Sequence, residues 1–153
     1  MWKTLWVPYV LDGMMLFDTD IFIWVQKGNV DAARLMENSE ERFLSVQTYM
    51  ELLQSAQNKK QHKHIKDFLT TFDFRIIAFT ENIGHRACIY VEEYTLSNGI
   101  RAGDAIIAAT AVENNLTLVT SHAKHFKIIK DLKLKVFRPD WSGNVPIMSC
   151  LST

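Results

Sequence analysis

Five short apolar runs, each set off from the next by a stretch of helical character, constrain this chain more than any other feature. The runs are MMLF at 14–17, RFLSV at 42–46, FRIIAF at 74–79, LTLVT at 116–120 and KLKVF at 133–137. Each has the length of a strand and none is long enough for a helix of its own. Strands of this kind, alternating with helices, pair in parallel, because every crossover carries the chain back to the same end of the sheet. The crossover helices then cover both faces. The expected fold is therefore a three-layer α/β/α sandwich around a central parallel sheet.

The intervening segments carry their own signals. A helix is predicted from about Ile21 to Lys27, and a second over NVDAARLMEN, with Asn29 as its cap and Ala33, Leu35 and Met36 as apolar positions. TYMELLQSAQNKK reads as helical and HIKDFLTTF as its continuation. A long helix from Glu81 to Ser97 ends at the SNG signal of residues 97–99. DAIIAATAVENN is helical and rich in small residues, and AKHF forms a short turn before the last strand.

With 153 residues the chain has room for one domain and a sizeable core. Its formal net charge is zero, so any affinity for nucleic acid has to come from local patches. Cys88 and Cys150 fit no metal-ligand spacing, which suits a reducing, cytoplasmic setting. Residues 1–13 hold only a short apolar run, interrupted by Pro8, and no small-residue cleavage site. They read as a leader or loosely docked arm, native or not, and not as a secretion signal. The domain is expected to span 14–138, with an irregular tail over 139–153. No stretch approaches the ~20 apolar residues of a membrane span.

In an open parallel sheet, chemistry gathers at the carboxyl ends of the strands. Asp18 and Asp20 stand just after the first strand, in MMLFDTDIFIW. Glu51 lies in the helix after the second strand, Asp104 opens the helix in RAGDAIIAATA, and Thr120, Ser121 and His122 follow the fourth strand. Buried carboxylates without a cation cost several kcal/mol each. Hard oxygen donors converging on one rim suit Mg²⁺ or Mn²⁺, which lower the pKa of bound water and offset charge on a leaving oxygen. Plainer roles exist for each acid: Asp20 also fits a helix cap, Asp104 an acid at a helix N-terminus, and Glu51 a solvated helix position.

Three segments together resemble a PIN domain. MLFDTDIFI is similar to its opening strand, which ends in an essential Asp; SVQTYMELL to the segment bearing its Glu; and IRAGDAIIAATAVENNLTLVTSHAKHF to its third motif. The short chain resembles the VapC-type toxins of bacterial toxin–antitoxin pairs. The resemblance implies a metal-dependent endoribonuclease with Asp18, Glu51 and Asp104 as its catalytic metal ligands. Asp20 falls where the family often has Asn, Ser or Asp. His122 is a departure, since the family commonly has Asp or Asn there. It is either a ligand better suited to Mn²⁺ than to Mg²⁺ or a surface histidine beside a three-carboxylate site.

For the RNA substrate, Lys124 and Lys127, with Lys130 nearby, and Arg101 one helical turn before Asp104 are candidate phosphate contacts. NKKQHKHIKD at 58–67 sets Lys59, Lys63 and Lys66 on one helix face, which also fits ordinary solvation. The resemblance further implies a VapB-like antitoxin that inserts a basic side chain among the acids, and a homodimer formed through the later helices. Phe22, Trp24, Val25, Ala33, Leu35 and Met36 present more apolar surface than one core obviously needs, so an amphipathic partner helix is one expected use. Two rivals stand beside this reading. A phosphatase of the haloacid-dehalogenase type shares LFDTD but needs a late acidic pair that this chain lacks. A non-catalytic PIN-fold RNA-binding or scaffold protein would have no need of the clustered acids.

Overall fold

The structure, a computed structural model, describes residues 14–139. The leader and nearly all of the tail expected at the two ends lie outside the described residues. Within them the chain runs β1 (Met14–Phe17), α1 (Thr19–Gln26), α2 (Val30–Glu37), β2 (Glu41–Ser45), α3 (Val46–Ser55), α4 (Lys59–Thr71), β3 (Phe74–Ile77), α5 (Glu81–Asn98), α6 (Ala102–Glu113), β4 (Thr117–Thr120), a 3₁₀ turn (Ala123–His125) and β5 (Lys133–Val136). All five expected strands form, in the order β3-β2-β1-β4-β5, and every neighbouring pair is parallel. The three-layer sandwich is the fold.

Side-chain alternation along the strands builds the two outer layers. Leu16, Phe43 and Leu118 turn to one face and pack against Ile83 and Ala87 of α5 and the alanines of α6. Met15, Phe17, Leu44 and Val119 turn to the other, against Ile21, Phe22, Met36, Leu52 and Leu69. Buried on both faces, such strands read as continuous apolar runs, which is why they were visible in the sequence. Helix α6 buries Ala105, Ile107, Ala108, Ala109, Thr110 and Ala111. Methyl-sized side chains let it lie close against α5 and the sheet, as expected of a helix apolar all round. The left-handed φ of 68° at Gly99 ends α5, as the SNG signal anticipated.

Helices α3 and α6 each start two residues earlier than expected, at Val46 and Ala102, and two further boundaries bear on the site and the core. Helix α1 starts at Thr19, and its N-cap is Asp18 rather than Asp20. The helix predicted through TYMELLQSAQNKK breaks at residues 56–58, where Asn58 caps a new helix by accepting from Gln61 N at 2.9 Å. That break lets Ile65, Phe68 and Leu69 fold onto the layer formed by α1 and α3. The apolar surplus of the first helices is largely core: Phe22 and Met36 are buried, and Trp24, Val25 and Leu35 pack against the same cluster.

The topology also fixes where a site can form. From β1 the chain winds outward through β2 to β3, then returns over α5 and α6 to place β4 on the other side of β1. The strand order reverses between β1 and β4, which leaves a crevice beyond their carboxyl ends.

Candidate active site

Asp18 sits at that crevice. Its backbone N–H donates to Val119 O at 2.9 Å, so the residue is pinned by the β1–β4 pairing. Its carboxylate is buried; Oδ1 accepts from Thr19 N and Oδ2 from Thr120 Oγ1, both at 2.8 Å. Burial, then the negative charge of Asp20, pushes the Asp18 pKa up to about 7, and Asp104 adds in the same direction. The two hydrogen bonds oppose that rise without cancelling it.

Asp20 lies two residues further, in the first turn of α1, and its carboxylate reaches across to the tip of β4. Oδ2 accepts from Ser121 N at 2.7 Å and from Ser121 Oγ, and Thr120 Oγ1 is 3.4 Å away. Trp24 Nε1 donates to Ser121 Oγ at 3.2 Å, fixing that hydroxyl from the other side. Oδ1 of Asp20 is buried with no hydrogen-bond partner among the described residues. The role of cap expected as one option for Asp20 belongs to Asp18 instead.

Glu51 joins the cluster through Thr19, whose Oγ1 donates to Glu51 Oε2 and lies 3.2 Å from Thr48 Oγ1. Gln47, one helical turn earlier, donates to Glu51 Oε1 at 2.9 Å. Asp104 is half-buried in the first turn of α6, and its Oδ2 accepts from Arg101 N at 3.4 Å. His122 is exposed; its backbone N–H donates to Thr120 Oγ1 at 3.1 Å, so its peptide, not its imidazole, serves the cluster. Arg101, Lys124 and Lys127 are exposed, and none of the three side chains is held in an ion pair among the described residues.

The crevice thus unites Asp18, Asp20, Thr120 and Ser121 directly, brings the charge of Asp104 to bear on Asp18, and ties in Glu51 by a hydroxyl bridge. As the side chains stand, no three acidic, imidazole or thiol groups among the described residues are grouped as joint ligands of one ion. Their chemistry nevertheless fits a hard divalent cation. The donors are oxygens, Asp20 Oδ1 is an orphaned buried acceptor, and Asp18, its pKa raised first by burial and then by Asp20 and Asp104, is a carboxylate without a counter-charge.

Sequence reasoning missed Thr19, Gln47 and Gly103. Gln47 had a legible signal, its i,i+4 spacing to Glu51. Gly103 had none: a Cβ there would lie 3.1 Å from Glu51 Oε1 and 3.3 Å from Gln47 Nε2. Gly103→Ala is expected to displace the Glu51 carboxylate by a few tenths of an ångström while gaining up to ~1 kcal/mol of helix propensity. Its melting temperature should hold or rise, while its affinity for Mn²⁺, titrated calorimetrically, falls several-fold. Unchanged affinity would show that Glu51 tolerates the move.

The chain matches the family described as PIN domain over residues 15–132. No curated protein matches it. Among solved structures it is similar to a toxin–antitoxin complex from Klebsiella pneumoniae, at 30% identity and a TM-score of 0.66, covering 82% of this chain and 97% of that one. VapBC-1 from nontypeable Haemophilus influenzae is 25% identical with a TM-score of 0.66, over 80% and 96% of the two chains. FitAcB from Neisseria gonorrhoeae is likewise 25% identical, with a TM-score of 0.61 over 82% and 98%.

Proposed function

Because the chain belongs to the PIN-domain family, we propose that the β1–β4 crevice is the active site of a metal-dependent endoribonuclease, the VapC-type toxin of a toxin–antitoxin pair. The observation that carries this reading is the buried Asp18, held at the strand-order reversal with two further acids close enough to raise its pKa. A buried charge of that kind is a standing cost unless a cation balances it. Solved structures similar to the chain include a toxin–antitoxin complex at 30% identity, which supports the biological assignment.

Asp18, Glu51 and Asp104, with Asp20 beside them, would hold Mg²⁺ or Mn²⁺. When bound, such an ion supplies Lewis-acid stabilisation of the phosphate oxygens and lowers the pKa of coordinated water. The chain's own residues do the rest. Thr120 and the Thr19 peptide orient the Asp18 carboxylate, Ser121 orients Asp20, and Thr19 with Gln47 orients Glu51. Arg101, Lys124 and Lys127, all exposed, would draw RNA phosphates to a rim that is otherwise acidic. His122 is assigned no ligand role, since its ring is exposed and only its backbone is bonded into the cluster.

A partner site accompanies the active site. A cavity of about 380 Å³ opens between α1, α3 and α4, lined by Phe22, Val25, Leu52, Ile65, Phe68 and Leu69 among others. Its shape between helices suits the apolar face of an amphipathic helix, the expected form of a VapB-like antitoxin. A basic side chain from that partner, placed among the acids, would substitute for the metal ion and silence the site. We further assign a homodimer on the strength of the family. Among the described residues no helix is long and apolar enough to cross a membrane.

The test is cleavage of a mixed RNA pool by protein freed of any co-purified partner, with Mg²⁺ or Mn²⁺, with EDTA, and with Asp104→Asn. Discrete fragments that require metal, and that fall at least ~100-fold in the variant, are expected. Intact RNA under both metals, from protein that is folded by circular dichroism, would leave the non-catalytic RNA-binding or scaffold reading in place.

A further inference from the structure

We infer that single-stranded RNA leaves the acidic crevice along the outer edge of β5, its phosphates held by Arg138, Lys135 and Lys133. This inference rests on the ribonuclease reading and extends it to a surface that the family assignment does not specify.

The charge distribution points there first. The whole chain is neutral, yet residues 124–138 carry Lys124, Lys127, Lys130, Lys133, Lys135 and Arg138 against one acid, Asp131. All six cationic residues are exposed. Among the described residues none of the six forms an ion pair. A nearly neutral protein that gathers this much positive charge on one segment has a local field suited to a polyanion.

Register then places the segment. In the β4–β5 pairing Val119 lies beside Lys135 and Thr120 beside Val136. The ladder continues one step further, with Phe137 N donating to Thr120 O at 2.8 Å. Thr120 is the residue whose hydroxyl holds Asp18, so Arg138 follows immediately after the last bond that joins this edge to the site. Strand alternation sets Lys133 and Lys135 on one face, about 6.7 Å apart along the strand, while Arg138, just past β5 and of opposite parity, falls on the other, so the three cations flank the exposed edge from both sides. Lys133 Nζ donates to Asn115 Oδ1 at 2.8 Å, which fixes the end of the edge far from the site.

Lysines on an edge strand also discourage edge-to-edge aggregation. General edge protection does not account for the pattern here, because the opposite edge is treated differently. On β3 and just beyond it, Ile76 and Phe79 are 44% and 46% exposed, with Arg75 as the one cation of the strand. Positive charge is concentrated on the edge beside β4, the strand whose tip holds Asp18 and Asp20, and apolar surface on the other.

The experiment compares two double substitutions of equal charge loss, Lys135→Gln with Arg138→Gln on the β5 edge and Lys59→Gln with Lys66→Gln on α4. A fluorescein-labelled single-stranded RNA of about 20 nucleotides is titrated against each in an Asp104→Asn background, at several salt concentrations. Removing two phosphate contacts should weaken binding about tenfold at ~100 mM salt and flatten the slope of log K against log salt by about 1.4. The α4 pair should change affinity less than about threefold. In the otherwise wild-type protein the β5 pair should raise KM for RNA cleavage and leave kcat within about twofold. Equal losses from both pairs, or an unchanged salt slope for the β5 pair in protein whose parent still cleaves RNA, would overturn the inference. A parent that neither cuts nor binds RNA would instead overturn the ribonuclease reading on which it rests.

Discussion

Asp18→Asn is expected to move activity and stability in opposite directions. The buried carboxylate accepts from Thr19 N and Thr120 Oγ1, and the amide preserves both contacts: its oxygen keeps the peptide N–H, and its nitrogen donates to a hydroxyl free to turn its proton towards Asp20. What is lost is the charge, which burial and the neighbouring Asp20 disfavour. In the unfolded chain Asp18 releases its proton near 3.8, and in the fold near 7. Between those values the folded state binds more protons than the unfolded one. The stability of the metal-free protein therefore falls as pH rises from about 4 to about 7 and levels off above. The loss amounts to roughly 2–4 kcal/mol by pH 8. Asp18→Asn should recover most of it, seen as a higher urea midpoint at pH 8 and little difference near pH 4.

The same charge is what a divalent ion needs, so the variant should lose RNA cleavage by at least ~1000-fold. In the native protein Mn²⁺ affinity should climb with pH to about 7 and then flatten, with a proton released on binding below that point. A metal-free variant that is less stable than its parent at pH 8 would show that the Asp18 carboxylate is a structural hydrogen-bonding group with no electrostatic strain to relieve.

Phe17→Ala should have the largest effect on stability alone. Phe17 is fully buried and meets Phe22 and Phe74 edge-on, with ring centroids 6.5 and 5.8 Å away. The three rings link β1, α1 and β3 across one layer, so truncation leaves a void that none of the three elements can close independently. A loss of about 3–5 kcal/mol is expected, against a total stability of ~5–15 kcal/mol for a domain of this kind. Equilibrium urea denaturation reads it as a lower midpoint at unchanged slope. A loss below ~1.5 kcal/mol would mean that the layer repacks. Phe17 also directly precedes Asp18. Even where the variant remains folded, the Asp18 N–H bond to Val119 O should loosen and the crevice with it.

The architecture was legible because its signals are local. MMLF and LTLVT are short, uninterrupted apolar runs, and the small residues of DAIIAATA announce a helix buried on every side. Gly99 stops α5 by a backbone preference that needs no neighbours. The break between α3 and α4 was not legible, since Ala56, Gln57 and Asn58 are all compatible with a helix. It is decided by where Ile65, Phe68 and Leu69 must go to meet α1 and α3. The boundary of α1 was displaced for a related reason: both acids of DTD are good caps, and only the pull of Ser121 on the second identifies the first as the cap.

The site divides in the same way. By itself the sequence determined that acids would stand at the carboxyl ends of parallel strands, because element order and length dictate which residues follow which strand. The tertiary structure alone decided their roles. Asp20 meets Ser121 across 101 positions of chain, Asp18 meets Thr120 across 102, and Glu51 reaches Thr19 across 32. No periodicity encodes such pairs. They exist because the β1–β4 register brings two strand ends together in a crevice where the Asp18 carboxylate is buried. There an unmatched carboxylate is costly enough to select the one arrangement that supplies it with donors.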